Sequence, residues 1–281
     1  MQKPEIVTRF APSPTGYLHL GHVRSAWEGW RAARDAGGRF LLRIEDIDRG
    51  RCRPEFDRAI RGDLLSLGLD WDGEVRRQSE HFADYQAALA RLEAQGLLYP
   101  CFCTRKDIQA EIARAGGAPQ GEDGPVYPGT CKQLASDQRQ ERIESGVDYA
   151  LRLDVSAALA RSGALYWSEH NRRIAADPAV LGDVVLARKD TPTSYHLAVT
   201  VDDALQGVTL ITRGVDLFAA THIHRLLQAL LGLSTPAYRH HKLLTDATGR
   251  RLAKRDRALT IRAMREAGMT PAEVLARARG G

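Results

Sequence analysis

The sequence predicts an α/β fold built on a parallel sheet, split by a small inserted unit and closed by a short helical stretch. Short apolar runs alternate with amphipathic helical text in both halves of the chain. A proline- and glycine-rich loop joins the first such run to the first helix, and charged, glycine-rich text carrying cysteines separates the halves. The expected division is 1–100 for the first half of the sheet domain, 101–178 for the insertion, 179–248 for the second half, and 249–281 for a basic loop with terminal helices.

The first strand is read at Ile6 to Phe10, and a helix beginning near His22 carries Val23, Ala26, Trp27, Trp30 and Ala33 at helical spacing up to the stop at Gly37 and Gly38. Arg39 to Ile44 is a second apolar run, so the opening is a strand, helix, strand unit with parallel strands and a right-handed crossover. Pro54 to Leu67 and Phe82 to Gln95 read as helices. After the charged text of Thr104 to Tyr166, Val180 to Ala187 and Gly207 to Arg213 read as strands, and Tyr195 to Asp203 alternates apolar and polar residues as a strand does. Asp216 to Gly232 contains a helix, and Leu259 to Arg279 reads as two short ones, with Pro271 suited to the first turn of the second.

Composition narrows the class. With 281 residues and 43% hydrophobic content the chain can bury a sizeable core. No apolar run is long enough to span a membrane as a helix, and Met-Gln-Lys-Pro-Glu lacks the apolar core of a signal peptide, so a cytoplasmic protein without membrane partners is expected. The formal charge of +5 permits a polyanionic partner without requiring one. Four cysteines in such a protein read as metal ligands or free thiols rather than disulfides.

Chemistry concentrates at strand ends. The turn from Ala11 to His22 is stiffened by Pro12 and Pro14 and relaxed by Gly16 and Gly21, and it delivers the N–H groups of a helix start to an incoming anion. His19 and His22 can then share a face and bind one polyphosphate; a metal pair or two surface histidines are the alternatives. Glu45, first past the second strand, is best placed to face a ligand, whereas Asp46 and Asp48 are expected to pair with nearby arginines and cap the following helix. Tyr195 and Arg213 are placed at strand margins, with an ion pair to Asp216 as the competing role for Arg213. Cys101, Cys103 and Cys131 suit a zinc site pinning a small insertion, with Tyr127 as fourth ligand and His170, Cys52 or water as alternatives; buried free cysteines are the competing reading. The basic loop Gly249 to Arg257 could reach a triphosphate or simply be solvated.

Several motifs occur in order: Arg9-Phe-Ala-Pro-Ser-Pro-Thr-Gly16 with His19-Leu-Gly-His22, then Arg43-Ile-Glu-Asp-Ile-Asp48, Gly68-Leu-Asp-Trp71, Cys101-Phe-Cys-Thr104, Val201-Asp-Asp203 and Arg213-Gly214. Together they resemble the catalytic domain of glutamyl-tRNA synthetases, class I aminoacyl-tRNA synthetases with a Rossmann-like fold. The resemblance implies activation of L-glutamate by ATP with Mg²⁺. It assigns Pro12, Gly16, His19, Gly21, His22 and Lys254 to ATP, with His19, His22 and Lys254 catalytic. Arg9, Ala11, Ser13, Glu45, Tyr195 and Arg213 fall to glutamate, with the arginines on carboxylates and Glu45 on the α-ammonium.

Two departures matter. The second signature is Arg251-Leu-Ala-Lys-Arg255, in which only Lys254 keeps the expected type. The text also ends soon after this loop, where tRNA(Glu)-charging enzymes continue into an anticodon-reading domain. That shortness, with Cys-x-Cys and Tyr-x-x-x-Cys, is similar to truncated paralogues that attach glutamate to the queuosine base of the tRNA(Asp) anticodon. Queuosine-bearing tRNA(Asp) and a monomeric enzyme are therefore expected. The alternatives are a minimal tRNA(Glu) synthetase, a ligase for another small carboxylic acid, and a catalytically silent RNA-binding module.

Overall fold

A computed structural model describes residues 5–114, 120–121, 124–244 and 260–280 of the chain. Strand β1 (Val7–Phe10) is buried throughout and leads through the Pro12/Pro14 turn into α1 (Leu20–Arg34), two residues earlier than His22. Helix α1 lies on the sheet through Val23, Ala26 and Ala33, with Trp27 and Trp30 packed at its margin. Its close approach depends on Gly29, where a Cβ would come within 2.9 Å of Thr212 Oγ1. Gly37 takes a left-handed φ of 64°, and a Cβ on Gly38 would lie 2.0 Å from the Ile6 carbonyl oxygen. The chain thus turns tightly into β2 (Arg39–Ile44), parallel to β1 as the sequence predicts.

Helix α2 (Pro54–Ser66), β3 (Arg76–Arg77), α3 (Phe82–Glu93), β4 (Leu98–Cys101) and α4 (Arg105–Arg114) follow. A short hairpin, β5 (Gln120–Gly121) with β6 (Gly124–Pro125), precedes α5 (Ser136–Glu144), β7 (Ala150–Leu153), α6 (Val155–Ser162), β8 (Tyr166–Glu169) and β9 (Arg172–Ala175). The chain ends with β10 (Val185–Arg188), α7 (Tyr195–Leu205), β11 (Leu210–Gly214), α8 (Ala220–Leu230), β12 (Ala237–His241), α9 (Ile261–Glu266) and α10 (Pro271–Arg279). The last two fulfil the expected helix pair, with Thr270 capping α10 and Pro271 in its first turn.

Strands β3, β2 and β1 form one parallel array, and β11, β12 and β8 another that β9 closes in antiparallel sense. The arrays meet where Thr209 N–H donates to the Val7 carbonyl at 2.9 Å, placing β1 beside β11 at the point where strand order reverses. Ligands of open α/β sheets bind at the carboxyl ends of such a switch point. A separate antiparallel sheet, β10-β7-β4, carries the cysteine-bearing region.

One expectation is overturned. Tyr195 to Asp203 forms a helix, capped at Ser194, because Leu197 through Asp203 are buried on every side. A helix enclosed all round loses its one-sided apolar stripe, so its residues can alternate like a strand. Val180 also precedes β10, in a 3₁₀ turn at Pro178–Leu181. Among the described residues no helix is long and apolar enough to cross a membrane.

Candidate active site

The carboxyl ends of β1, β2 and β11 and the starts of α1 and α7 surround a cavity of about 660 Å³. Ala11, Pro12, Ser13, His19, Gly21 and His22 line it from the β1–α1 turn. Arg9, Glu45, Tyr195 and Arg213 complete the wall. Gly16 does not line it and has open space around it. Lys254 and the basic loop lie outside the described residues. A second cavity, also about 660 Å³, shares Ser13, Glu45 and Tyr195 with the first and extends toward Tyr127 and Arg152.

The two histidines build the start of α1. His19 is the N-cap: its Nδ1 accepts from Gly21 N–H at 3.1 Å, while His22 Nδ1 accepts from His19 N–H at 3.3 Å. This reciprocal pattern is what Ser/Thr and Glu supply in an ordinary capping box. It stacks the rings with centroids 3.7 Å apart, on one face of the helix start. A Cβ on Gly21 would come within 3.0 Å of the His19 ring, so glycine gives that ring its place. The turn is fastened to the neighbouring strand exit, since Glu45 N–H donates to the Pro12 carbonyl at 3.0 Å.

Beneath the cavity lies a buried ionic network. Arg9 meets Asp203 through Nε at 2.9 Å and Nη2 at 3.3 Å and donates from Nη1 to the Thr212 carbonyl at 3.4 Å, which leaves one hydrogen on each Nη for other partners. Arg43 is fully buried and donates to Asp203 at 2.7 Å and to Glu45 Oε1 at 3.1 Å. Burial alone would weaken the Arg43 charge, but Asp203, Glu45 and Asp202 hold its pKa above the ordinary value. Burial likewise opposes the charge on Asp203, and Arg9 with Arg43 outweighs it, holding the carboxyl below its ordinary range. Glu45 lines the cavity, and its Oε2 makes no hydrogen bond among the described residues. Asp202 accepts from Arg76 at 2.7 Å, Gln78 at 2.8 Å and Tyr85 at 2.9 Å.

Arg213 is treated differently. Its Nε donates to His240 Nε2 at 3.1 Å, Nη1 to Tyr195 Oη at 3.4 Å and His224 Nδ1 at 3.3 Å, and Nη2 to Thr221 Oγ1 at 2.6 Å. It is 4% exposed, and among the described residues no carboxylate lies within ion-pair distance. The expected alternative, an ion pair with Asp216, does not form. Burial, then the Arg213 charge, pushes the His196 and His240 imidazoles down to about 4 and His224 well below its ordinary value.

Asp46 and Asp48 do not cap α2, whose N-cap residue Arg53 makes no side-chain cap. Asp48 pairs with Arg51 at 2.5 Å, as foreseen, while Asp46 accepts from Ser79 N–H at 2.8 Å and Oγ at 2.7 Å and pairs with Arg77 at 3.7 Å. Asp203, Arg43 and the three histidines had no role in the sequence reading. Arg43 and Asp203 are visible in the sequence only as members of the motifs Arg43-Ile-Glu-Asp-Ile-Asp48 and Val201-Asp-Asp203.

Away from the cavity, the Sγ atoms of Cys101, Cys103 and Cys131 lie within 4.8 Å of one another. Tyr127 Oη accepts from Cys131 N–H at 2.9 Å and stands 3.6 Å from Cys103 Sγ. Three sulfurs and a phenol oxygen this close suit a small tetrahedral soft ion, with bonds near 2.3 Å to sulfur. His170 is engaged elsewhere, 3.1 Å from the His240 carbonyl, and Cys52 lines the second cavity.

A paired-histidine helix start, a buried acid at the end of β2 and a buried arginine at the end of β11 thus line one cavity. The family described as tRNA synthetases class I (E and Q), catalytic domain, matches residues 5–279, and the chain belongs to it. It is similar to the glutamyl-Q tRNA(Asp) synthetase of Rhodobacter capsulatus, 48% identical over 273 residues, which cover 96% of this chain and 98% of that one. The protein of the same name from Symbiobacterium thermophilum is 44% identical, with 95% of this chain and 83% of that one covered. Among solved structures, glutamate-tRNA synthetase from Elizabethkingia anophelis superposes with a TM-score of 0.77 at 27% identity. The match covers 90% of this chain and 53% of that one, so the chain spans about half the length of that synthetase.

Proposed function

We propose that the protein activates L-glutamate with ATP and transfers it to the queuosine base in the anticodon of tRNA(Asp). The observation that carries the glutamate assignment is Arg213, a buried guanidinium held by neutral groups beside a cavity. A buried cation without a counter-charge is costly, and a substrate carboxylate in that cavity relieves the cost. The acceptor assignment rests on relatives named for tRNA(Asp) that match the chain over nearly its whole length. Such a substrate places the reaction in the cytoplasm, and we expect a monomer.

A glutamate α-carboxylate oxygen attacks the α-phosphorus of ATP. The bond from that phosphorus to the bridging oxygen breaks, and pyrophosphate leaves. The protein's part is positioning and charge stabilisation. Arg213 and Tyr195 receive the side-chain carboxylate, with Ala11 and Ser13 lining the pocket. Glu45 Oε2 accepts from the α-ammonium. Arg9, already paired with Asp203, adds positive potential and the remaining hydrogen of each Nη. His19, His22 and Lys254 hold the phosphates, with Pro12 and Gly21 shaping the backbone around them and Gly16 relaxing the turn outside the cavity wall; Mg²⁺ brought with ATP would supply charge neutralisation on the phosphates. A queuosine hydroxyl then attacks the activated carbonyl and AMP departs. The second cavity, which shares Ser13, Glu45 and Tyr195 with the first, offers that hydroxyl an approach.

We also propose that Cys101, Cys103, Cys131 and Tyr127 hold one structural Zn²⁺ in the inserted unit that carries the β10-β7-β4 sheet. The test of function is labelled-glutamate transfer. Label should appear on queuosine-containing tRNA(Asp) and not on tRNA(Asp) lacking queuosine, alongside glutamate-dependent ATP–pyrophosphate exchange. Charging of tRNA(Glu) instead would overturn the acceptor assignment.

A further inference from the structure

The histidines around Arg213 have no role in the reaction described so far, and their hydrogen bonds fix their chemistry. A guanidinium only donates, so His224 Nδ1 and His240 Nε2 must both be acceptors. An imidazole has an acceptor nitrogen only when neutral. The remaining nitrogens therefore carry the hydrogens. His240 Nδ1–H donates to Glu169 Oε2 at 2.8 Å, and His224 Nε2–H donates to His196 Nδ1 at 3.3 Å. Glu169 holds His240 a second time, accepting from its backbone N–H at 2.9 Å. The cage thus runs from β8 through β12 and β11 to α8 and α7, and each ring is pinned in one tautomer.

This arrangement separates two jobs that a carboxylate would combine. An aspartate could fix Arg213 equally well, as Asp203 fixes Arg9, but it would also neutralise the charge. Two imidazoles and the Thr221 hydroxyl fix the guanidinium and leave its charge for a ligand. One Nη2 hydrogen makes no bond among the described residues, and the contact to Tyr195 is long at 3.4 Å, so a carboxylate has a place to bind.

We propose that His224 and His240 are positioning residues that determine amino-acid specificity, because they hold Arg213 without neutralising it and so reserve it for an acidic side chain. This rests on the glutamate reading above. It predicts that neutrality at these positions matters more than the imidazole itself. Asn at position 224 keeps an acceptor near the place of Nδ1, whereas Asp keeps that acceptor and adds charge.

The experiment compares wild type, His224→Asn and His224→Asp in ATP–pyrophosphate exchange, with glutamate and glutamine as substrates and thermal melts as controls. His224→Asp should lose glutamate kcat/KM on the order of 100-fold, mainly through KM. Its glutamine rate should change far less, so discrimination collapses. His224→Asn should lose less than about 10-fold and keep its preference. Should His224→Asp not fold, Thr221→Asp sets a carboxylate against Nη2 of the same guanidinium and must give the same split. Equal losses with both amino acids, in the neutral and charged variants alike, would overturn the proposal and assign the cage a structural role. A wild-type enzyme without glutamate-dependent exchange would overturn the functional reading itself.

Discussion

Arg43 and Arg213 are both buried guanidiniums at the ends of sheet strands, about as hidden from water as each other, yet their surroundings are opposite. Arg43 sits among Asp203, Glu45 and Asp202. Arg213 sits among His240, His224, Tyr195 and Thr221. The first set satisfies its cation from within the chain. The second satisfies only hydrogen bonds and leaves the charge for something that enters. Burial therefore does not separate a structural arginine from a binding one; the charge of its partners does.

The largest break in that comparison should come at Arg43. Replacing it with Met strips the central cation from three carboxylates and should destabilise the protein by roughly 3–5 kcal/mol, read from denaturant unfolding. A loss below about 1 kcal/mol would mean that Arg9 and Arg76 suffice to hold Asp203 and Asp202.

A smaller effect should appear in acid. His196 and His240 are held near 4, below an ordinary 6.5, by burial and by Arg213. Their folded-state values are depressed, so the unfolded chain takes up these protons first. The stability they contribute is whole above about pH 6.5 and lost as pH falls toward 4. Melting temperature should fall across that window, and fall less in an Arg213→Gln protein. Equal acid sensitivity in both proteins would show that Arg213 does not govern these rings.

Much of this architecture could be read from the chain. The turn from Arg9 to His22 announced itself because proline, glycine and histidine have narrow conformational and chemical uses, and the structure places most of its residues on one cavity. The cysteines were legible for the same reason. Helix α7 was not, since full enclosure removes the one-sided stripe that marks a helix in sequence. The partner of Arg9 was hidden too: Asp203 lies 194 residues away, and no local pattern reports a contact made across a sheet. The cap made by His19 and His22 has no sequence signature of its own, because histidines stand where Ser and Glu form the ordinary capping box.

Arg213 is the residue on which glutamate binding turns, and a calorimetric titration of L-glutamate into wild-type and Arg213→Gln proteins tests its role. Binding should be seen in the wild type and be weakened on the order of 100-fold in the variant, with little net change in thermal stability near neutral pH, because the hydrogen bonds lost to His224, His240 and Thr221 are offset by removal of a buried cation that the chain itself leaves unpaired. Glutamate bound equally by both proteins would contradict the account.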